Sequence, residues 1–204
     1  MKKTNWIIAI ICFIIFIAIL LSVVNTGGVF FDEWLMNIAY SLRNSKLNFI
    51  FKFITFLGDS KFIILVSILL GGYFFFYKKN KFNGILVILN TVNTAILNQG
   101  IKYIVRRPRP INLIIDEDGF SFPSGHSMMS MCFYALIIYF IWKSNLKKDL
   151  KIILTALIIL LIYIIGFTRI YFGAHYPSDI LAGYMVTLTY MLIFIPMYNN
   201  IMKD

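Results

Sequence analysis

The chain has 204 residues, of which 60% are hydrophobic and only 14% charged, with a mean hydropathy of +0.82. A soluble globule averages roughly 45–50% apolar and about 25% charged residues, so a soluble domain is excluded. The formal charge of +10 would suggest nucleic acid in a soluble protein; here its distribution points to membrane topology and a phosphate site.

These numbers describe an all-α integral membrane protein, one domain over 1–204, with room for about five to seven spans of about 20 residues. Cys12 and Cys132 both fall in apolar runs and read as packing residues. A first span is expected over about 6–24. It follows Lys2-Lys3, and Ser22-Val23-Val24-Asn25 is a poor signal-peptide cleavage site, so the span reads as uncleaved. Residues 30–57 change character. Phe30, Phe31, Trp34, Leu35, Ile38 and Leu42 recur at helical spacing among Asp32, Glu33, Asn37, Ser41 and Arg43. Leu47, Ile50, Phe53, Ile54 and Leu57 repeat the pattern. Two short amphipathic helices lying in the interface are expected, serving as an anchor or as a cap over a site.

Further spans are expected at about 62–77, 84–105, 126–142, 152–167 and 180–197, six in all. The third carries Asn90, Thr94, Asn98 and Lys102, each four residues from the last. They share one helix face, which must look into the bundle. Pro108 and Pro110 read as the stop of that helix. Arg106 and Arg107 read as surface or headgroup contacts, Asp116-Glu117-Asp118 as a solvated loop run, and Tyr171, Phe172 and Tyr176 as an interfacial aromatic belt.

Six spans with a cytoplasmic N-terminus put 1–5, 78–83, 143–151 and 198–204 in the cytoplasm. Those segments hold ten basic residues (Lys2, Lys3, Lys78, Lys79, Lys81, Lys143, Lys147, Lys148, Lys151 and Lys203). Nine lie elsewhere, five of them (Lys102, Arg106, Arg107, Arg109 and Arg169) in two suspected site clusters. Setting those aside leaves the Lys/Arg asymmetry expected of cytoplasmic loops. Both termini are then cytoplasmic, in a multi-pass protein of the cell membrane. Three polar clusters emerge together on the extracytoplasmic face, from three different connections.

The first cluster is Lys102, then six residues, then Arg109-Pro110. The second is Pro123-Ser124-Gly125-His126. The third is Arg169, five residues, His175, three residues, Asp179. Three cations can bind the oxygens of a phosphate and stabilise its transition state. A helix N-terminus at Ser124 and Gly125 is an anion site, and glycine lets the backbone come close. A histidine backed by a carboxylate is an activated nucleophile or base.

These residues closely resemble the three-part signature of the type 2 phosphatidic acid phosphatase family of membrane lipid phosphatases. Only Thr168 departs from the pattern, where the family usually has serine. The resemblance implies that His175 attacks phosphorus to form a phosphohistidine, that Asp179 orients its imidazole, and that His126 protonates the leaving oxygen. It implies that Lys102, Arg109, Ser124, Gly125 and Arg169 bind the phosphate. No metal or other cofactor is expected, because no acidic cluster with ligand spacing accompanies the histidines. The expected partners are the membrane and a phospho- or diphospho-lipid, without nucleic acid or an obligate protein partner.

In a bacterium, the candidate substrates at an outer face are undecaprenyl diphosphate, favoured narrowly, and phosphatidylglycerophosphate; relatives also take phosphatidic acid. A transporter of anions or lipids would show duplicated halves with paired broken helices, and none is visible. A non-catalytic lipid-binding protein would lack a nucleophile or clamp residue, and all are present. A phosphotransferase would share the same site.

Overall fold

The computed structural model describes residues 3–201. Eight helices follow one another, with no strand among the described residues: α1 (Lys3–Thr26), α2 (Asp32–Ser41), α3 (Ser45–Phe56), α4 (Ser60–Gly72), α5 (Lys81–Val105), α6 (Gly125–Lys143), α7 (Lys148–Tyr171) and α8 (Pro177–Ile201). A π-helical turn over Tyr73–Tyr77 extends α4. Six of them, α1 and α4 to α8, are long and apolar enough to cross a membrane. The short pair α2 and α3 sits between the first two spans. This is the expected fold class.

The long helices overrun the apolar runs by a few residues, and polar residues cap the starts of three of them, α4, α5 and α6. Asp59 Oδ1 accepts from the amides of Lys61 and Phe62 at 2.8 and 3.2 Å. Asn80 Oδ1 accepts from Asn83 at 3.0 Å, and Ser124 Oγ accepts from Ser127 at 3.3 Å. Each cap satisfies an amide that the first turn leaves without a partner. The overrun matters at two places. Helix α7 continues to Tyr171, so Arg169 stands in its last turn. Helix α8 begins at Pro177, so Asp179 stands in its first. Helix α5 ends at Val105 because Arg106 turns left-handed, at φ +53°, two residues before the first proline.

Helix α8 packs along α1 and against α6, α5 and α2; α6 also packs against α7, α5 and α4. The polar stripe of α5 faces inward as expected. Asn90 and Thr94 are buried and bond to Cys132 of α6, at 3.2 Å to its carbonyl and 3.0 Å to its sulfur. Asn98 donates to the Pro123 carbonyl at 3.2 Å. Both cysteines are free and buried. The stripe thus fastens α5 to α6 and fixes the strap that precedes His126.

Two expectations about α2 and its surroundings need correction. Asp32 does not lie on a solvated face: it is buried, while Phe30 and Trp34 are 95% and 64% exposed. Inside a bilayer the apolar face turns to lipid and the charge turns inward. Tyr171 and Phe172 are fully buried rather than belt residues. The Tyr171 hydroxyl donates to Asn48 Oδ1 at 2.7 Å and accepts from the Asn44 amide at 3.0 Å. Arg43 donates to the Tyr171 carbonyl at 2.8 Å. These bonds tie the α2–α3 turn to the end of α7. Of the charges that set the topology, Lys2 and Lys203 lie outside the described residues.

Candidate active site

All three clusters gather at one end of the bundle, where α5 and α7 end and α6 and α8 begin. Short links set their relative positions. The turn from α7 to α8 is closed by the Ala174 and His175 amides, which donate to the Arg169 carbonyl at 2.9 and 3.3 Å. Gly173 allows that turn, with φ +73°. The Ser124 amide donates to the Asp179 carbonyl at 3.1 Å, so the second and third clusters share a backbone bond. Gly125 sits close under Asn98: a Cβ there would come within 3.2 Å of Asn98 Oδ1.

At the centre are His175 and Asp179, one helical turn apart and both buried. His175 Nδ1 lies 3.5 Å from Asp179 Oδ2. The other ring nitrogen, Nε2, faces Arg109 Nη1 at 3.4 Å. Burial holds the imidazole well below its usual pKa of 6.5, and the positive charges of Arg169, Lys102 and Arg109 push the same way. His175 is therefore neutral at neutral pH. A proton on Nδ1, toward the carboxylate, leaves the Nε2 lone pair on the side of the cations.

Three cations act on the imidazole, and Arg109 is the one in contact with Nε2. Arg109 is held by backbone carbonyls: Ala174 at 2.8 Å, Asp118 at 2.8 Å and Gly119 at 3.2 Å. Lys102 donates to the Phe120 carbonyl at 2.5 Å. Arg169, 1% exposed, donates to Thr55 Oγ1 at 2.9 Å and to Glu117. His126, half-buried at the start of α6, sits beside Gly58 in the α3–α4 turn. The Ser124 hydroxyl is buried as the cap of α6. The Thr168 hydroxyl donates back to the Ile165 carbonyl at 2.6 Å, so it serves its own helix.

The arrangement also uses residues that the sequence reading set aside. Arg107 is no surface contact. It is 5% exposed and donates to Asp179 Oδ1 at 2.6 Å, to Ser178 Oγ at 2.8 Å and to Asp32 Oδ2 at 2.9 Å. Its guanidinium lies 3.7 Å from the centre of the Tyr176 ring. Asp32 in turn accepts from the Ser178 amide and hydroxyl at 2.8 and 2.7 Å. Two residues apart, Arg107 and Arg109 approach the His175–Asp179 pair from its two ends. Glu117 is likewise no solvated residue of an acidic run. Its two oxygens take Arg169 Nη2 and, at 3.3 Å, Arg109 Nη2. Nothing local marks Arg107 or Glu117: residues two apart in extended chain fall on the same face, so spacing alone does not distinguish Arg107 from Arg109.

Taken as chemistry, the cluster offers a neutral, carboxylate-backed imidazole facing three cations, with a second imidazole at a helix start nearby.

Comparison with known proteins fits this geometry. Residues 83–203 match the PAP2 superfamily. Over 181 residues the chain is 34% identical to phosphatidylglycerophosphatase B of Bacillus subtilis, covering 85% of this chain and 87% of that protein. It is 22% identical over 193 residues to an undecaprenyl-diphosphatase of Sulfolobus acidocaldarius, covering 91% of this chain and 87% of the relative. Among solved structures it resembles the crystal structure of a transmembrane PAP2-type phosphatidylglycerolphosphate phosphatase from Bacillus subtilis. The TM-score is 0.84 at 28% identity, over 96% of each chain.

Proposed function

This chain belongs to the PAP2 superfamily, and on that premise we propose that it is a metal-independent phosphatase of membrane lipids, working through a phosphohistidine. The observation that carries the reading is the buried imidazole of His175, with Asp179 on one nitrogen and Arg109 on the other.

In this mechanism His175 Nε2 attacks phosphorus in line with the departing oxygen. The P–O bond to the lipid breaks as the N–P bond forms, and His126 delivers a proton to the leaving oxygen. Asp179 holds the Nδ1 proton and stabilises the positive charge that grows on the ring. Lys102, Arg109 and Arg169 meet the charge on the equatorial oxygens, and the amides at the start of α6 add donors. Water, deprotonated by His126, then displaces His175 and releases phosphate. No step calls for a metal, because three side-chain cations stand where one would act. A chelator should leave turnover intact.

The substrate class is a lipid ending in a phosphate or diphosphate, since the cluster reads the phosphoryl group. Phosphatidylglycerophosphate is supported by the names of the Bacillus subtilis relative and structure. Undecaprenyl diphosphate is supported by the Sulfolobus acidocaldarius relative and by a site that faces outward. That orientation follows the charges: Lys3, Lys78, Lys79, Lys81, Lys143, Lys147, Lys148 and Lys151 all lie at the end opposite the site. Both termini are then cytoplasmic and the site extracytoplasmic.

The test is phosphate release by purified protein in detergent from both lipids, phosphatidic acid and a soluble ester. His175→Ala runs alongside. The wild type is expected to release phosphate, and the variant to be slower by about 1,000-fold or more. Wild-type-like turnover in the variant would overturn the mechanism. A clear preference for one lipid names the substrate.

A further inference from the structure

Two of the three cations facing His175 are already engaged by one carboxylate. Glu117 bridges Arg169 and Arg109, one oxygen to each. It hangs from a loop whose backbone also binds Arg109, through the carbonyls of Asp118 and Gly119. The Glu117 side chain is 24% exposed, whereas Arg169 beneath it is 1% exposed. The guanidinium N–H groups it uses are the ones that a pair of phosphate oxygens would use.

We propose that Glu117 is a resident anion of the phosphate site, a specificity-determining residue that an incoming phosphate must displace. The inference rests on the reading of the cluster as a phosphatase site. Because Glu117 is tethered, it competes at a high effective concentration. It therefore sets a threshold: an anion gains the arginines only by offering them more than a carboxylate does. A phosphate monoester carries between one and a half and two charges at neutral pH, by the general value of about −1.5 to −2. A phosphodiester, the group carried by bulk membrane phospholipids, has a single charge and exchanges like for like. Glu117 thus keeps the abundant diesters out of the clamp while admitting the terminal phosphate. Once displaced, the carboxylate has a path to solvent, being the exposed member of the trio.

A merely structural strut would behave differently. If Glu117 only ordered the loop around Arg109, removing it would loosen the clamp and weaken anion binding. The experiment is thermal unfolding of the full-length protein in detergent, titrated with inorganic phosphate and with diethyl phosphate. Ligand at free concentration L that binds the folded state stabilises it by RT ln(1 + L/Kd), so the rise of the midpoint with concentration reports the affinity. Glu117→Gln is expected to bind phosphate about tenfold more tightly than the wild type, the size of one charged hydrogen bond. Diethyl phosphate should stabilise the variant and not the wild type. Glu117→Asp keeps the charge but is too short to span both arginines, and it should fall between the two. Phosphate affinity that is unchanged or weaker in Glu117→Gln overturns the proposal. If that variant shows no cooperative melt, Glu117→Asp decides by the same criterion. Lipid turnover by the wild type is measured in parallel. No turnover with tighter phosphate binding in the variant sinks the phosphatase reading and leaves the resident anion standing. Normal turnover with no change in binding does the reverse.

Discussion

On the Asp179 side of the central pair, one guanidinium serves two carboxylates, Arg107 between Asp32 and Asp179. On the His175 side, three cations stand against one carboxylate, Glu117, which pairs with two of them, Arg109 and Arg169. The first group is closed. Its charges are about 5% exposed or less, and its bonds reach from the start of α2 to the start of α8. The second is open and carries an excess of positive charge. Charge buried without an equal partner is costly, so it persists where a ligand completes it. The contrast separates the part of the site that holds its shape from the part that receives the substrate's charge.

The sharpest way to break this contrast is Arg107→Met. It leaves two buried carboxylates without their cation, and breaking such a pair costs about 3–5 kcal/mol. We expect that loss in the melt of the purified protein. Turnover should fall about tenfold, roughly 1.4 kcal/mol of barrier, with KM little changed, because Arg107 touches Asp179 and none of the phosphate-binding cations. Adding Asp32→Asn should restore part of the stability, since one of the stranded charges is then gone. A KM effect larger than the kcat effect would place Arg107 with the open group instead.

On the open side, His126→Ala should cost about 100-fold on lipid substrates, the lower end for a positioned proton donor. An aryl phosphate with a good leaving group should lose much less. Equal losses on both would remove His126 from the leaving-group step. The melt should barely move, because among the described residues no hydrogen bond ties the His126 side chain to the closed group.

How much of this was legible in the sequence follows from the same contrast. Long apolar runs disclose spans because lipid offers a helix nothing else to bury against. The reactive groups sit in short motifs whose spacing can be read directly. The closed group escapes that reading because its bonds join distant segments: Arg107 meets Asp32 across 75 positions and Asp179 across 72. The amphipathic period of α2 was visible, but a period does not say which face turns inward. In water the apolar face does; beside lipid it is Asp32 that turns in. Glu117, between two other acids, looked like part of a solvated run because its partner Arg169 lies on another helix.

The smallest expected effect concerns pH, and it weighs the two sides against each other at His175. Its pKa is held well below 6.5, first by burial and then by Arg169, Lys102 and Arg109. A base whose folded pKa is depressed stays neutral in the fold while the unfolded chain takes up a proton. Stability from this group is therefore complete above about pH 6.5 and is lost as pH falls below it. Melts from about pH 7.5 down to 5 should show that decline in the wild type. His175→Gln, which cannot titrate, should show less of it, and the difference between the two curves isolates this one imidazole from His126 and the carboxylates. Lys102→Met then divides the cause. If burial dominates, the decline keeps most of its size without the lysine. If the open group's excess charge dominates, the decline shrinks toward that of His175→Gln. Identical curves for wild type and His175→Gln would mean that His175 titrates alike in both states, and the neutral nucleophile would lose its electrostatic basis.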